Sequence, residues 1–356
     1  MITETETLII GGGLSGLRVA QLLAGKARAF HVLEARDRLG GRILTERIGN
    51  GYFDMGPAWF WPGQPRMAAL VGALGVEVFE QYADGALMFE DADGGVQRDV
   101  GFSSMQGSLR LVGGLGGMID ALVSRLPVGS ITRGETVTGI ALDDDGITVR
   151  TAPGDVIRAE RVIIALPPRL AAEGITFTPA LPDRAMADMA EVATWMAGQA
   201  KVIAVYDTPF WRDAGLSGDA MSRRGPMVEI HDASPYEGGP FALFGFVGVP
   251  AHVRDGQGDA IKAAAVAQLG RLFGQAALVP HAVHLADWAY DSATATTADQ
   301  QLLYAHPQYG MLRSLAGLYD GRLHFGGTEV APQFGGFLEG ALEAAENVVN
   351  IIDNSA

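Results

Sequence analysis

The chain is predicted to be an α/β protein organised around a doubly wound, mainly parallel sheet, and three features of its first 34 residues predict this. An apolar run, Leu8-Ile9-Ile10, leads straight into Gly11-Gly12-Gly13-Leu14-Ser15-Gly16. A helical pattern of Leu17, Val19, Ala20, Leu22 and Leu23 follows, and a second apolar run ends at Val32-Leu33-Glu34. Strand, glycine turn, helix, strand, acid is the order that a dinucleotide requires.

Each position in that stretch has a physical task. Gly11 lets the chain turn sharply as it leaves the strand. Gly13, without a side chain, lets a pyrophosphate approach the backbone, and Gly16 lets the helix pack close to the sheet. The helix N-terminus offers free N–H groups and a partial positive charge. Glu34 accepts hydrogen bonds from ribose hydroxyls, and its charge repels a 2′-phosphate. Ser15 inside the turn and Ala35 directly after the acid complete the candidate set.

The next residues, Ala35-Arg36-Asp37-Arg38-Leu39-Gly40-Gly41-Arg42, place a tight Gly40-Gly41 turn between arginines. From there Arg36 and Arg42 reach anionic phosphates, a pattern that marks FAD-binding proteins of the glutathione-reductase type more than NAD dehydrogenases. The far end supplies a second wall: the short strand Leu323-His324-Phe325, then Gly326-Gly327-Thr328-Glu329, then Gln333 to Leu342 and a helix to about Ile352. An elongated cofactor that spans both ends suits this layout, so FAD is expected. No second G-x-G-x-x-G with a downstream acid marks a separate nicotinamide site.

Bulk properties narrow the classes. A length of 356 residues with 48% hydrophobic content allows about two domains. The formal net charge of −15 argues against nucleic acid and anionic membrane surfaces. With no cysteine, disulfides, thiol nucleophiles and a cysteinyl–flavin bond are excluded, and FAD is expected to be non-covalent. The acidic start and the lack of a long apolar run point to a cytoplasmic protein without a membrane span. His281 and His284 have no third ligand nearby, so no metal site is expected.

Residues 135–168 read as a β-meander with a return strand: Val137 to Leu142, Ile147 to Arg150 and Arg161 to Leu166, separated by Asp143-Asp144-Asp145-Gly146 and Ala152-Pro153-Gly154-Asp155. The glycine-rich stretch 113–118 opens a short helix from Ile119 to Leu126. Met186, Met189 and Met196 read as one helical stretch used for core packing. The expected division is a discontinuous FAD-binding domain (1–65, 109–176 and 290–356) and a smaller α+β substrate domain (66–108 and 177–289).

Lys201 stands in the strand-like run Ala200-Lys201-Val202-Ile203-Ala204-Val205-Tyr206, on one face with Ile203 and Val205. If that face is inside, its ammonium is dehydrated and its pKa falls. Periodicity alone favours the alternative, a strand-end lysine that reaches water.

The segment Gln199 to Trp211 resembles the lysine segment of the flavin-containing amine oxidase family, which includes monoamine and polyamine oxidases. The resemblance runs in order through the Gly11–Gly16 turn, Glu34, Gly40-Gly41-Arg42, Asp54-Met55-Gly56-Pro57-Ala58-Trp59, Ile164 to Pro168, Trp288, Gly327-Thr328-Glu329 and Gly336 to Ala341. It implies that Gly11, Gly13, Gly16, Glu34, Arg36, Gly41 and Arg42 hold the ADP half of FAD. It also implies that Gly56 to Trp59 approach the isoalloxazine, that Val137 touches adenine through its backbone, that Trp288 packs on the flavin and that Glu329 anchors the ribityl–phosphate region. Gly336, Phe337, Leu338 and Ala341 would then bring a helix N-terminus to the flavin C2 carbonyl. In the family the lysine matching Lys201 holds a water against flavin N5.

Departures from the pattern bear on substrate. Many family members flank the substrate nitrogen with two aromatic rings. Phe337 matches one, while the other should fall between Ser292 and Thr297, where no aromatic residue stands. Amino-acid oxidases place an arginine near Trp59, and tryptophan cannot pair a carboxylate. The segment from Gln64 to Ser108 is shorter than the family's helical cap, which opens the cavity to a bulkier substrate or to a partner. The leading expectation is oxidation of a small amine to an imine, with hydride leaving for flavin N5 and oxygen returning hydrogen peroxide; Lys201, Phe337 and Trp59 are the catalytic candidates. Desaturation or isomerisation, renalase-like oxidation of a dihydronicotinamide, or a flavoprotein subunit that needs a partner are the alternatives.

Overall fold

The computed structural model describes residues 3–301 and 303–354. Leu8 and Ile10 enter one hydrophobic core and Ile9 the other, and all three are buried. A strand covered on both faces is what a parallel sheet between helical layers demands. Five parallel strands form that sheet, in the spatial order Ile131–Arg133, Phe30–Glu34, Glu4–Ile10, Val156–Ile164 and Leu323–Phe325. The meander strands Val137–Asp143 and Gly146–Thr151 attach to the same Val156–Ile164 strand. Its first half pairs antiparallel with the meander (Arg150 opposite Val156), and its second half pairs with Leu323–Phe325 (Val162 opposite Leu323).

The two ends of the chain meet on one face of this sheet. Helices Leu14–Gly25 and Leu338–Asn354 share a core through Leu17, Leu23, Leu342 and Val348. The Ser15 hydroxyl donates to the Gly326 carbonyl, which lashes the first helical turn to the C-terminal strand. Arg18–Glu346 at 3.1 Å and Arg28–Asp353 at 3.0 Å add surface ion pairs, each worth at most ~1 kcal/mol. The apolar seam does most of the holding.

A second sheet has seven strands, in the order Ala282–Asp287, Ala200–Tyr206, Phe241–Val247, Met227–Asp232, Leu216–Ser222, Ala86–Glu90 and Val96–Arg98. It is antiparallel except where Leu216–Ser222 meets Ala86–Glu90. The expected shortened helical cap is one helix, Pro65–Leu74, followed by strands that extend this sheet. Glu339 caps that helix from the far end of the sequence, accepting from Met67 N at 2.8 Å and Arg66 N at 3.0 Å.

Two local expectations change. The helix expected at Ile119–Leu126 runs Gly114–Val123, because the Asp54 carboxylate accepts from Leu115 N and draws the glycines into its first turn. Met196 does not share a helix with Met186 and Met189: that helix, Asp183–Glu191, ends where Val192 turns extended, and Met196 takes φ +63° at the surface. The same helix buries Ala185 and Met189 on the first sheet, and Thr176–Thr178 pairs with the meander, so residues 176–191 pack with the nucleotide-side layer. Among the described residues no helix is long and apolar enough to cross a membrane.

Candidate active site

A cavity of about 620 Å³ is lined from both sheets and from both ends of the chain. Of the residues singled out by sequence, Gly11, Gly13, Ser15, Glu34, Ala35, Arg36, Gly41, Arg42, Gly56, Pro57, Ala58, Trp59, Val137, Lys201, Trp288, Gly336, Phe337, Leu338 and Ala341 all line it. Gly16, Gly327 and Glu329 stand behind that wall. A Cβ on Gly16 would lie 2.0 Å from the Gly11 carbonyl oxygen, and one on Gly327 would lie 2.8 Å from that of Leu166.

At the nucleotide end the backbone sets the shape. Gly11 adopts φ +110°, open to glycine alone at little cost. Gly13 is extended and bridges Gly40, and no side chain caps the helix that starts at Leu14, so its first N–H groups remain available. The buried Glu34 carboxylate accepts from Gly12 N at 2.7 Å and Arg36 N at 2.9 Å. Arg36 lines the cavity, but its guanidinium is drawn to the other wall: Nη2 donates to Asp291 at 2.6 Å and to Thr294 at 2.7 Å.

Arg42 reaches the buried Glu329 at 2.8 Å, yet neither Glu329 oxygen has a donor aligned for a hydrogen bond. Glu135, near Val137, also has a buried oxygen without a partner. A buried carboxylate in that condition costs about 1–3 kcal/mol or more. A hydroxyl-rich ligand in the cavity would satisfy Glu135, which lines it, while Glu329 holds Arg42 from behind the wall. The glycine cradle, the acid at the strand end and the unpartnered Glu135 oxygen together fit FAD.

The other end is built from side chains. Lys201 sits in an inner strand of the second sheet with Phe246 directly opposite on one neighbour and Ala286 on the other. It is 2% exposed, so the strand-end alternative fails: both edges of its strand are paired and both faces are covered. Its Nζ donates to the Gly56 carbonyl at 2.6 Å and the Asp54 carbonyl at 3.1 Å. The amine lies 4.5 Å from the Phe244 ring centre, 5.4 Å from Phe246 and 5.9 Å from Trp59. Burial lowers its pKa to about 7; Asp54 opposes that shift and Arg110 adds to it. Burial likewise raises the Asp54 carboxyl, although Thr45 and Leu115 N bond to it.

Trp59 packs on Phe244 and Phe246 (centroids 6.1 and 6.3 Å apart) while lining the cavity. Trp61 also lines it, whereas Phe60 turns into the core. Trp288 donates from Nε1 to the Met55 carbonyl at 3.1 Å and packs beside Gly56, where a Cβ would lie 3.4 Å from the indole. From the Pro209-Phe210-Trp211 motif, Trp211 is fully buried in the second-sheet core and bonds Asp232 at 2.8 Å; it is not a cavity wall.

From 292–297 only Ser292, Ala293 and Thr294 reach the wall, and none is aromatic. Phe337 instead stacks flat on His306, at 4.8 Å and 3°. Sequence reasoning missed Glu135, Trp195, Met196, Gln199 and Phe246. The alternation of Phe244 and Phe246 along Phe241–Val247 was a usable signal for the last. Trp195 lies outside any regular element, so no periodicity pointed to it.

A model of the family described as flavin containing amine oxidoreductase matches residues 14–99 and 90–352. The probable flavin-containing monoamine oxidase A of Dictyostelium discoideum is 23% identical, over 98% of this chain and 97% of its own. The L-amino acid dehydrogenase of Synechocystis sp. is 26% identical, over 98% and 95%. A putrescine oxidase structure with bound putrescine superposes with a TM-score of 0.82 at 20% identity, covering 99% of this chain and all of that one. Cyclohexylamine oxidase from Brevibacterium oxydans IH-35A gives 0.82 at 19% identity, covering 99% of each. The two superpositions speak for the fold.

Proposed function

The chain belongs to the flavin-containing amine oxidoreductases, and from that premise we propose that it oxidises a monoamine with an apolar body, with oxygen as the final acceptor. It is an FAD-dependent enzyme, and with no cysteine in the chain no cysteinyl–flavin bond forms. Bound FAD supplies the acceptor for the hydride from the amine α-carbon and the route by which oxygen becomes hydrogen peroxide. The two sheets are read as a nucleotide-binding and a substrate domain, and the acidic, cysteine-free composition suits the cytoplasm.

One observation carries the reading. Among the described residues that line the cavity, the charged ones are Glu34, Arg36, Arg42, Glu135 and Lys201. The first four belong to the nucleotide end, and the Lys201 amine already serves two carbonyls. The substrate end therefore offers no carboxylate for a second ammonium and no arginine for a substrate carboxylate. Trp59, Trp61, Phe246 and Phe337 offer rings instead. Two of the three N–H bonds of a protonated Lys201 are used by carbonyls, which leaves one for a water, and its lowered pKa lets it give or take a proton near neutrality.

Anaerobic mixing of the holoenzyme with phenethylamine, putrescine and L-phenylalanine tests this. Phenethylamine should bleach the flavin at least about tenfold faster than the other two. Preference for putrescine or L-phenylalanine contradicts the monoamine reading. Bleaching by a dihydronicotinamide or a polycyclic compound and by no amine contradicts amine oxidation itself.

A further inference from the structure

We infer that Trp195 is a specificity-determining residue of the substrate site: its indole forms the second aromatic wall, against which the apolar body of the amine packs. The inference rests on the monoamine reading above. Trp195 lines the cavity alongside Phe337, Trp59 and Phe246, and its segment is braced from three sides.

The Tyr309 hydroxyl accepts from Trp195 N at 2.9 Å and donates to the Ala193 carbonyl at 2.6 Å. The buried Asp299 carboxylate, paired with Arg169 at 2.6 Å, accepts from Thr194 N at 3.0 Å. His306 meets the indole edge-on, at 4.9 Å and 61°, while it stacks on Phe337. A single imidazole therefore touches both Trp195 and Phe337. The next residue, Met196, holds φ +63°, a conformation that residues with a Cβ avoid.

A stretch without regular structure is thus held by a tyrosine, a buried ion pair and an edge-on ring contact, and it places a large apolar residue at a cavity wall. Core packing does not require this. Trp211, fully buried, needs only its neighbours and one hydrogen bond. A rigid indole gives offset stacking to an aryl group and little to a short alkyl chain, so its effect grows with the apolar body of the ligand.

The test uses the holoenzymes Trp195→Ala, Trp195→Phe and Tyr309→Phe, with anaerobic flavin reduction by phenethylamine and by ethylamine. Trp195→Ala should weaken apparent phenethylamine binding by about tenfold or more, with the limiting reduction rate within about threefold. Ethylamine binding should change less than about twofold. Trp195→Phe should recover most of the loss. Tyr309→Phe, which keeps the ring and removes the brace, should fall between and remains informative if Trp195→Ala does not fold. Phenethyl alcohol, followed through its perturbation of the flavin spectrum, reads the same binding ratio without turnover.

Equal losses for both amines, or no loss for either, overturn the assignment, as does the absence of a saturable alcohol signal in the wild type. If no amine reduces the wild-type flavin while alcohol binding still depends on Trp195, the amine reading falls and the aromatic wall stands.

Discussion

At one end of the cavity Gly11, Gly13 and Gly41 present main-chain atoms, with Gly16 packed behind them; at the other Trp59, Trp195, Phe246 and Phe337 present rings. The first end depends on the absence of side chains within a span of about thirty residues, and the second on side chains drawn from four distant segments. A cofactor common to a whole family suits the first design, because main-chain N–H groups recognise phosphates whatever the surrounding sequence. A substrate that differs between relatives suits the second, because rings can be exchanged without disturbing the sheets that carry them.

The glycine-built end is most vulnerable at Gly16. A methyl group there would sit 2.0 Å from a backbone oxygen, so Gly16→Ala should weaken FAD binding by about 100-fold or more and yield largely colourless protein. Gly25→Ala, in the same helix with nothing within 4 Å of the added carbon, should stay yellow, as read from the ratio of absorbance at the flavin and protein bands. Glu34→Gln comes next. It removes a buried charge that serves two backbone N–H groups, and titration of the apoprotein with FAD should show about a 10- to 100-fold loss.

At the ring-lined end, Lys201→Met should leave the flavin bound and slow its reoxidation by oxygen by about tenfold, which stopped-flow mixing would measure. An unchanged rate would mean that the amine does not act on that step. The same variant also changes the pH dependence of stability. The folded-state pKa of Lys201, about 7, lies below its ordinary 10.5, so between those values the unfolded chain binds more protons than the folded one. This lysine therefore makes stability rise with pH across that window, with the penalty fully present below about 7. Urea midpoints at pH 6.5 and 9.5 should show a smaller rise in Lys201→Met than in the wild type. The smallest effect is expected at Asp291→Ala, which frees Arg36 from the opposite wall and should change FAD affinity only a few-fold.

The two ends also differ in how far sequence revealed them. The nucleotide end was legible because glycine spacing, an acid after the second strand and an apolar run each have a local meaning. The parallel strands, the meander and the final helix were legible for the same reason. Lys201 was only half legible: its strand was plain, but its burial follows from neighbours about 45 and 85 residues away, at Phe246 and Ala286. Trp195 and His306 were not legible, since neither lies on a periodic element and their ring contacts form only once residues 306–309 fold against 193–196. The shortness of the cap was legible, but not that Ala86–Glu90 and Val96–Arg98 join a sheet edge, which pairing rather than local propensity decides.

Both ends of the chain fold together around one long FAD site. Titration of the apoprotein with FAD tests this most directly. A yellow complex should form, saturate at one FAD per chain and retain its colour through gel filtration. Protein that remains colourless after incubation with excess FAD would contradict it.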